Sequence, residues 1–284
     1  MPITWSMLRN PQPTTLAAAR ALAHRAAQWP ARAARANLEA VADDSHTALA
    51  WDPARAALLG QPLKGGAQAG LRVGVLEVIF TKGAKTEAIA LATNTDAEVA
   101  AWLDGKLTDA GLKPASGIVI PYDLPATNFA RAVDEGPRLA ALAGWFAAGA
   151  EILEELRRKY KRFKPGPSPV RCWPHHFDIA ILVGLEEGDA EHAASIHIGL
   201  SPGDDYYAQP YFYLSPYPKP DTGNLPPLPP GGRWHTHEFF GAVATGVEML
   251  ALDDPRGGIM AVVDAALEES LARHRDMRGR PKSR

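Results

Sequence analysis

Cysteine is nearly missing from this chain of 284 residues, where Cys172 stands alone. One thiol excludes an intramolecular disulfide and any thiolate-rich zinc site, and it predicts a reducing, cytoplasmic home. Long apolar runs are missing as well. No stretch reaches the ~18 uninterrupted apolar residues that a membrane-crossing helix needs, and the first six residues lack the basic and apolar regions of a signal peptide. Charge of one sign is also scarce. Thirty Lys and Arg stand against 32 Asp and Glu, for a formal net charge of −2, so the whole surface offers no strong field for nucleic acid or anionic lipid. The local basic run 157–162 reads as the positively charged end of a helix. A phosphate-binding glycine loop is absent too, because residues 63–70 have the glycines without the spacing or the lysine. What remains is an ordinary globular composition, 46% apolar and 22% charged, with the Ala, Arg and Pro bias of a GC-rich bacterial genome.

The spacing of Leu16, Ala19, Leu22 and Ala23 predicts a helix within 13–42, with Pro30 as a break. Strands are expected at Thr47–Trp51, Leu71–Phe80 and Thr86–Leu91. The cap residues Asn94, Thr95 and Asp96 then lead into an amphipathic helix that ends at Gly111. The second half repeats the order. A long helix over 128–163 is bent or restarted at Gly136 and Pro137, strands follow at Phe177–Leu185, Ser195–Leu200 and Tyr211–Leu214, and a helix spans about 257–275. The fold class expected is therefore α+β: two helix–three-strand–helix units, 1–120 and 121–284, with a mainly antiparallel sheet packed on helices. At an offset of 160, Val99, Leu103, Asp104 and Leu107 align with Ile259, Val263, Asp264 and Leu267. That alignment fits an internal duplication as well as it fits two unrelated units with common helical spacing. The Pro-rich stretch 216–230 is longer than a typical connector, which marks it as a functional or mobile loop.

Histidine is where composition becomes local. Six of the nine lie between His175 and His237, and five of the seven tyrosines lie between Tyr206 and Tyr217. Because side chains alternate along a strand, Phe177, Ile179, Ile181 and Val183 share one face, as do Ile196, Ile198 and Leu200, and Phe212 and Leu214. The opposite face then carries His176 and Asp178, Ser195 and His197, and Tyr211 and Tyr213. Buried imidazole, carboxylate and phenol groups need partners, so this face is a satisfied polar network or a pocket.

Two chemistries fit such a pocket. His176 with Asp178 forms an acid/base pair, and His235 with His237, joined by His176 or Asp178, offers ligands for a divalent metal. Ser195, Ser201, Ser215 and Cys172 are the candidate nucleophiles, though none sits in a recognisable elbow. His197, Tyr211, Tyr213 and Trp173 would hold a ligand, while His175 and His192 are bystanders. Asp204 and Asp205 sit in a turn of the Asx type, with an acidic lip as its functional alternative.

Ser168, Pro169 and Val170, Trp173, Phe177 to Ala180, Gln209 to Tyr213, and Tyr217 with Pro218 together resemble a bacterial family of unknown function. Its members share Ser-Pro-Val, a Trp, Phe-Asp-Leu-Ala and a Tyr-Phe-Tyr strand. The resemblance covers the second half and implies a shared structural unit with no assigned activity. Two functions follow from the residues: a small-molecule enzyme, hydrolytic or metal-assisted, or a noncatalytic ligand-binding or assembly protein, homo-oligomeric if its Tyr-rich strand and Pro-rich loop form the interface.

Overall fold

The computed structural model describes residues 5–188 and 193–279; His192 and the end of the basic tail lie outside them. The protein is α+β with antiparallel sheets. Its contacts gather into two compact units, one of residues 1–148 and 171–179, the other of 149–170 and 180–284. The boundary thus falls inside a long helix rather than at residue 120.

The first unit opens with α1 (Ala17–Ala26) and α2 (Gln28–Asn37). The break falls at Ala27. Pro30 sits in the first turn of α2, where the missing N–H costs no intrahelical bond. A five-stranded antiparallel sheet follows in chain order: β1 (Ala50–Asp52), β2 (Ala57–Leu59), β3 (Gln68–Arg72), β4 (Glu77–Lys82) and β5 (Lys85–Ala90). The apolar run 71–80 is two strands instead of the single strand expected. A 3-10 turn over Val73–Val75 and a left-handed Leu76 at φ 51° fold β4 back on β3. That register lines up Leu58, Leu71 and Val78, each fully buried.

The expected cap is present at α3 (Asp96–Asp109), where the Thr95 hydroxyl accepts the Glu98 N–H while Glu98 accepts the Thr95 N–H at 2.7 Å. Next comes α4 (Gly136–Lys159), shorter than the helix expected over 128–163: Phe129–Asp134 form a separate 3-10 turn and the α-helix begins at the glycine read as a bend or restart, contributing Trp145 and Phe146 to the first core.

Beyond α4 lie β6 (Gly166–Pro167), β7 (Arg171–Trp173), β8 (Asp178–Gly184), β9 (Ser195–Ser201), β10 (Tyr211–Tyr217), β11 (Arg233–His235) and β12 (Gly241–Thr245), then α5 (Gly246–Leu250) and α6 (Pro255–Gly279). In the first unit β7 is held by a two-way backbone bridge between Leu49 and Cys172. The second unit's sheet runs β11-β12-β10-β9-β8-β6, so it does not repeat the chain-order meander of the first. Phe212 and Leu214 of β10 and Ala242 and Ala244 of β12 surround a small apolar gap with Ile259, Val262 and Val263 of α6. Ile196, Ile198 and Leu200 are buried with them on the helix side, as strand alternation requires.

The Pro-rich loop belongs to that helix side. Arg273 of α6 donates to the Asp221 and Asn224 carbonyls at 2.5 and 3.2 Å, and the Trp234 indole donates to the Pro226 carbonyl at 2.7 Å. Trp234 alternates with Arg233 and His235 along β11, so it reaches the loop from the strand face opposite theirs.

Candidate functional site

The second unit's other sheet face is the polar one. Antiparallel register aligns His197 with Ser215 and Gly241 with His235, and the Ser215 hydroxyl donates to the Phe240 carbonyl just before β12. The neighbouring row is Gly199, Tyr213, Val243 and Arg233, and the third is Ser201, Tyr211 and Thr245. The expected set His197, Tyr211 and Tyr213 does share this face, and His235 joins it through the two strands that the sequence reading omitted. Glycine shapes the surface: an added Cβ at Gly199 would stand 2.5 Å from the Tyr213 hydroxyl, so the tyrosine ring lies over the bare backbone.

Hydrogen bonds hold the rings in place. Asp204 accepts the Tyr206 and Tyr207 backbone N–H groups at 2.9 and 3.2 Å, completing the expected Asx turn. Its other oxygen accepts the hydroxyls of Ser201 and Tyr211. The Tyr207 hydroxyl lies 2.8 Å from Nδ1 of His235, whose Nε2 contacts the His237 carbonyl. A carbonyl only accepts, so Nε2 carries the proton and Nδ1 accepts from Tyr207. Phe239 stacks on His235 at 4.0 Å, and Tyr206 meets both rings edge-on. The Arg233 guanidinium lies 5.1 Å over Tyr207 and pairs with Glu248, which also caps α5 through the Thr245 N–H and hydroxyl. Burial opposes ionisation of Glu248, but the Thr245 bonds and Arg233 outweigh it and hold its pKa below the usual range.

Asp204 and Tyr207 read in sequence as a turn residue and as part of the tyrosine cluster, while Arg233, Phe239 and Glu248 are the members that sequence reasoning passed over. Signals existed for two of these: alternation along β11 places Arg233 with His235, and Thr245 followed three residues later by Glu248 is a capping-box pattern.

The remaining predicted residues, Trp173, His176 and Asp178, belong to the first unit. His176 is not on a strand. Residues 174–177 form the turn between β7 and β8, and Phe177 has φ 59°, which breaks the alternation that placed His176 beside Asp178. His175 instead meets the rings of Trp173, His176 and Tyr122, with Asp44 3.9 Å from its Nδ1. Burial and the neighbouring His176 lower the pKa of His175. His24 donates through Nε2 to the Pro174 carbonyl at 2.9 Å and stacks on Phe177. Burial pushes its pKa down to about 4, against the Pro174 bond.

Among the described residues no three His, Cys, Asp or Glu side chains gather to hold a metal ion. Both ring nitrogens of His235 are engaged, which leaves it no lone pair for one. As for the candidate nucleophiles, Ser201 and Ser215 donate to Asp204 and to the Phe240 carbonyl, while Ser195 is buried. Cys172 is fully buried, and burial, with the charge of Asp178, pushes its thiol pKa up.

Compared with protein-family models, curated proteins and solved structures, the chain matches none.

Proposed function

We propose that the chain binds a small, ring-shaped polar ligand, such as a sugar, on the tyrosine–histidine face of its second unit. One observation carries the reading: aromatic rings fixed by ring contacts and by the Tyr207–His235 hydrogen bond keep surface open to solvent. Tyr206 is 46% exposed, Tyr207, Tyr213, His235 and Phe239 are half-buried, and His197 and His237 are exposed around them. Rings already ordered lose little freedom when a ligand lands on them, and their faces match the C–H faces of a sugar while imidazoles reach its hydroxyls. Titration calorimetry with a panel of neutral monosaccharides, disaccharides and nucleosides tests this. The expected result is saturable binding by at least one member that weakens at least tenfold in Tyr213→Ala. A panel without any saturable binder, or binding indifferent to that substitution, rejects the reading.

The hydrolytic alternative has one observation in its favour, the Tyr207 phenol against the His235 imidazole, which is an acid–base couple. It requires Tyr207→Phe to abolish turnover of a bound ligand while leaving its affinity within twofold. The assembly alternative predicts a concentration-dependent dimer by sedimentation that the same Tyr213→Ala change dissociates.

A further inference from the structure

In the first unit α2 presents Arg32 and Arg35 one turn apart on one helix face. Arg35 donates to Asp44 at 2.5 Å, and Asp44 also stands 3.7 Å from Nδ1 of His46 and 3.9 Å from Nδ1 of His175. The carboxylate of Asp96, whose charge reaches Arg32, is taken by Arg25 at 2.6 Å. Arg32 is left over. Its guanidinium lies 5.0 Å over the Trp29 ring, and among the described residues it has neither a hydrogen bond nor an ion pair. Nε of Arg32 and Nε of Arg35 are both shielded from water with no acceptor. The half-buried Tyr122 phenol, which donates to Gln28 at 2.7 Å, feels the charge of both arginines.

A half-buried cation with no direct partner is costly, because water is removed and only the longer-range charge of Asp96, already paired with Arg25, offsets the loss. Burial accordingly lowers the pKa of Arg32. Proteins keep such groups where an anion completes them, and the planar, multi-donor guanidinium suits an oxyanion better than a halide.

We propose that Arg32 and Arg35, with the Tyr122 phenol turning its proton from Gln28 to the ligand, form a receptor for a single oxyanion, the phosphate or carboxylate group of a small molecule. His175 and His176 lie beside it on the β7–β8 turn and Trp29 floors it. The receptor is made entirely of first-unit residues and stands independently of the tyrosine face.

The experiment is a melting and calorimetric titration of the full chain with inorganic phosphate and, in a parallel arm, benzoate, at constant ionic strength. Saturable stabilisation by either probe is expected, and the stronger arm identifies the source of the oxyanion. Arg32→Gln should weaken that binding at least tenfold, Tyr122→Phe should weaken it several-fold, and Arg9→Gln, at an exposed arginine elsewhere in the unit, should leave it unchanged. In anion-free buffer Arg32→Gln should melt at or above the wild-type temperature, because it removes a half-buried charge that has no direct partner. That readout also guards against misfolding as the cause of lost binding. Failure of both probes to saturate, or equal binding by wild type and Arg32→Gln, overturns the proposal. So does a clear drop in the anion-free melting temperature of Arg32→Gln.

Discussion

Phe177 keeps a left-handed backbone at φ 59° although its ring is bulky and only 1% exposed, a combination tolerated when the surroundings over-determine it. His24 stacks on one side at 5.3 Å and Phe146 meets it at 5.0 Å. The residue explains why His176 leaves the face assigned by alternation, since one left-handed residue reverses the side on which its neighbour emerges. It also couples the turn to pH through His24. The folded imidazole stays neutral down to about pH 4, whereas the unfolded chain takes up its proton near 6.5. His24 therefore contributes stability that is complete above pH 6.5, declines as the pH falls from 6.5 to 4, and is lost below. Urea unfolding at pH 7 and pH 4.5 checks this. His24→Phe, which preserves the stack while Gln28 still donates to Pro174 at 2.8 Å, should lose less stability between the two pH values than the wild type does.

At the scale of elements, hydrophobic period and end signals were enough where both agreed. The helix after Thr95 carries a capping box and buries Val99, Leu103 and Leu107, all in the expected places. The run 71–80 is mostly apolar, and its turn carries neither proline nor an Asn-Gly type pair; only Gly74 and the flanking Arg72 and Glu77, which pair across the hairpin at 3.0 Å, mark it. The three residues of β11 are too few for alternation to be read, and β12 is buried throughout and does not alternate, yet the two strands complete the site by setting Arg233 and His235 on the polar face. The importance of Gly199 is equally invisible until Tyr213 is seen lying over it. Gly199→Ala should leave the strand intact, because alanine takes extended backbone freely, but it must push the Tyr213 ring off the sheet. A changed near-UV dichroism with an unchanged far-UV spectrum is expected; identical near-UV spectra would show that the ring does not depend on that bare backbone.

For the whole molecule, charge sets behaviour in solution. Opposite charges nearly cancel, and the sequence isoelectric point of about 6.5 lies close to neutrality. Electrostatic repulsion between copies is then weakest near pH 6.5, so light scattering should report the most self-association there and less at pH 8.5. A scattering profile flat across that range would show that apolar contact, instead of charge balance, governs association.

Sequence alone determined the α+β class, the capped helix after Thr95, and the apolar faces of β8, β9 and β10, because each follows from short-range periodicity and local backbone chemistry. Tertiary structure decided which polar residues meet. Strand order brings His235 and Arg233 to the tyrosine face, one left-handed residue removes His176 from its expected place, and burial leaves Arg32 without a direct counterion. These outcomes depend on pairing between segments far apart in the chain and on which charges lose water, and no local pattern encodes either.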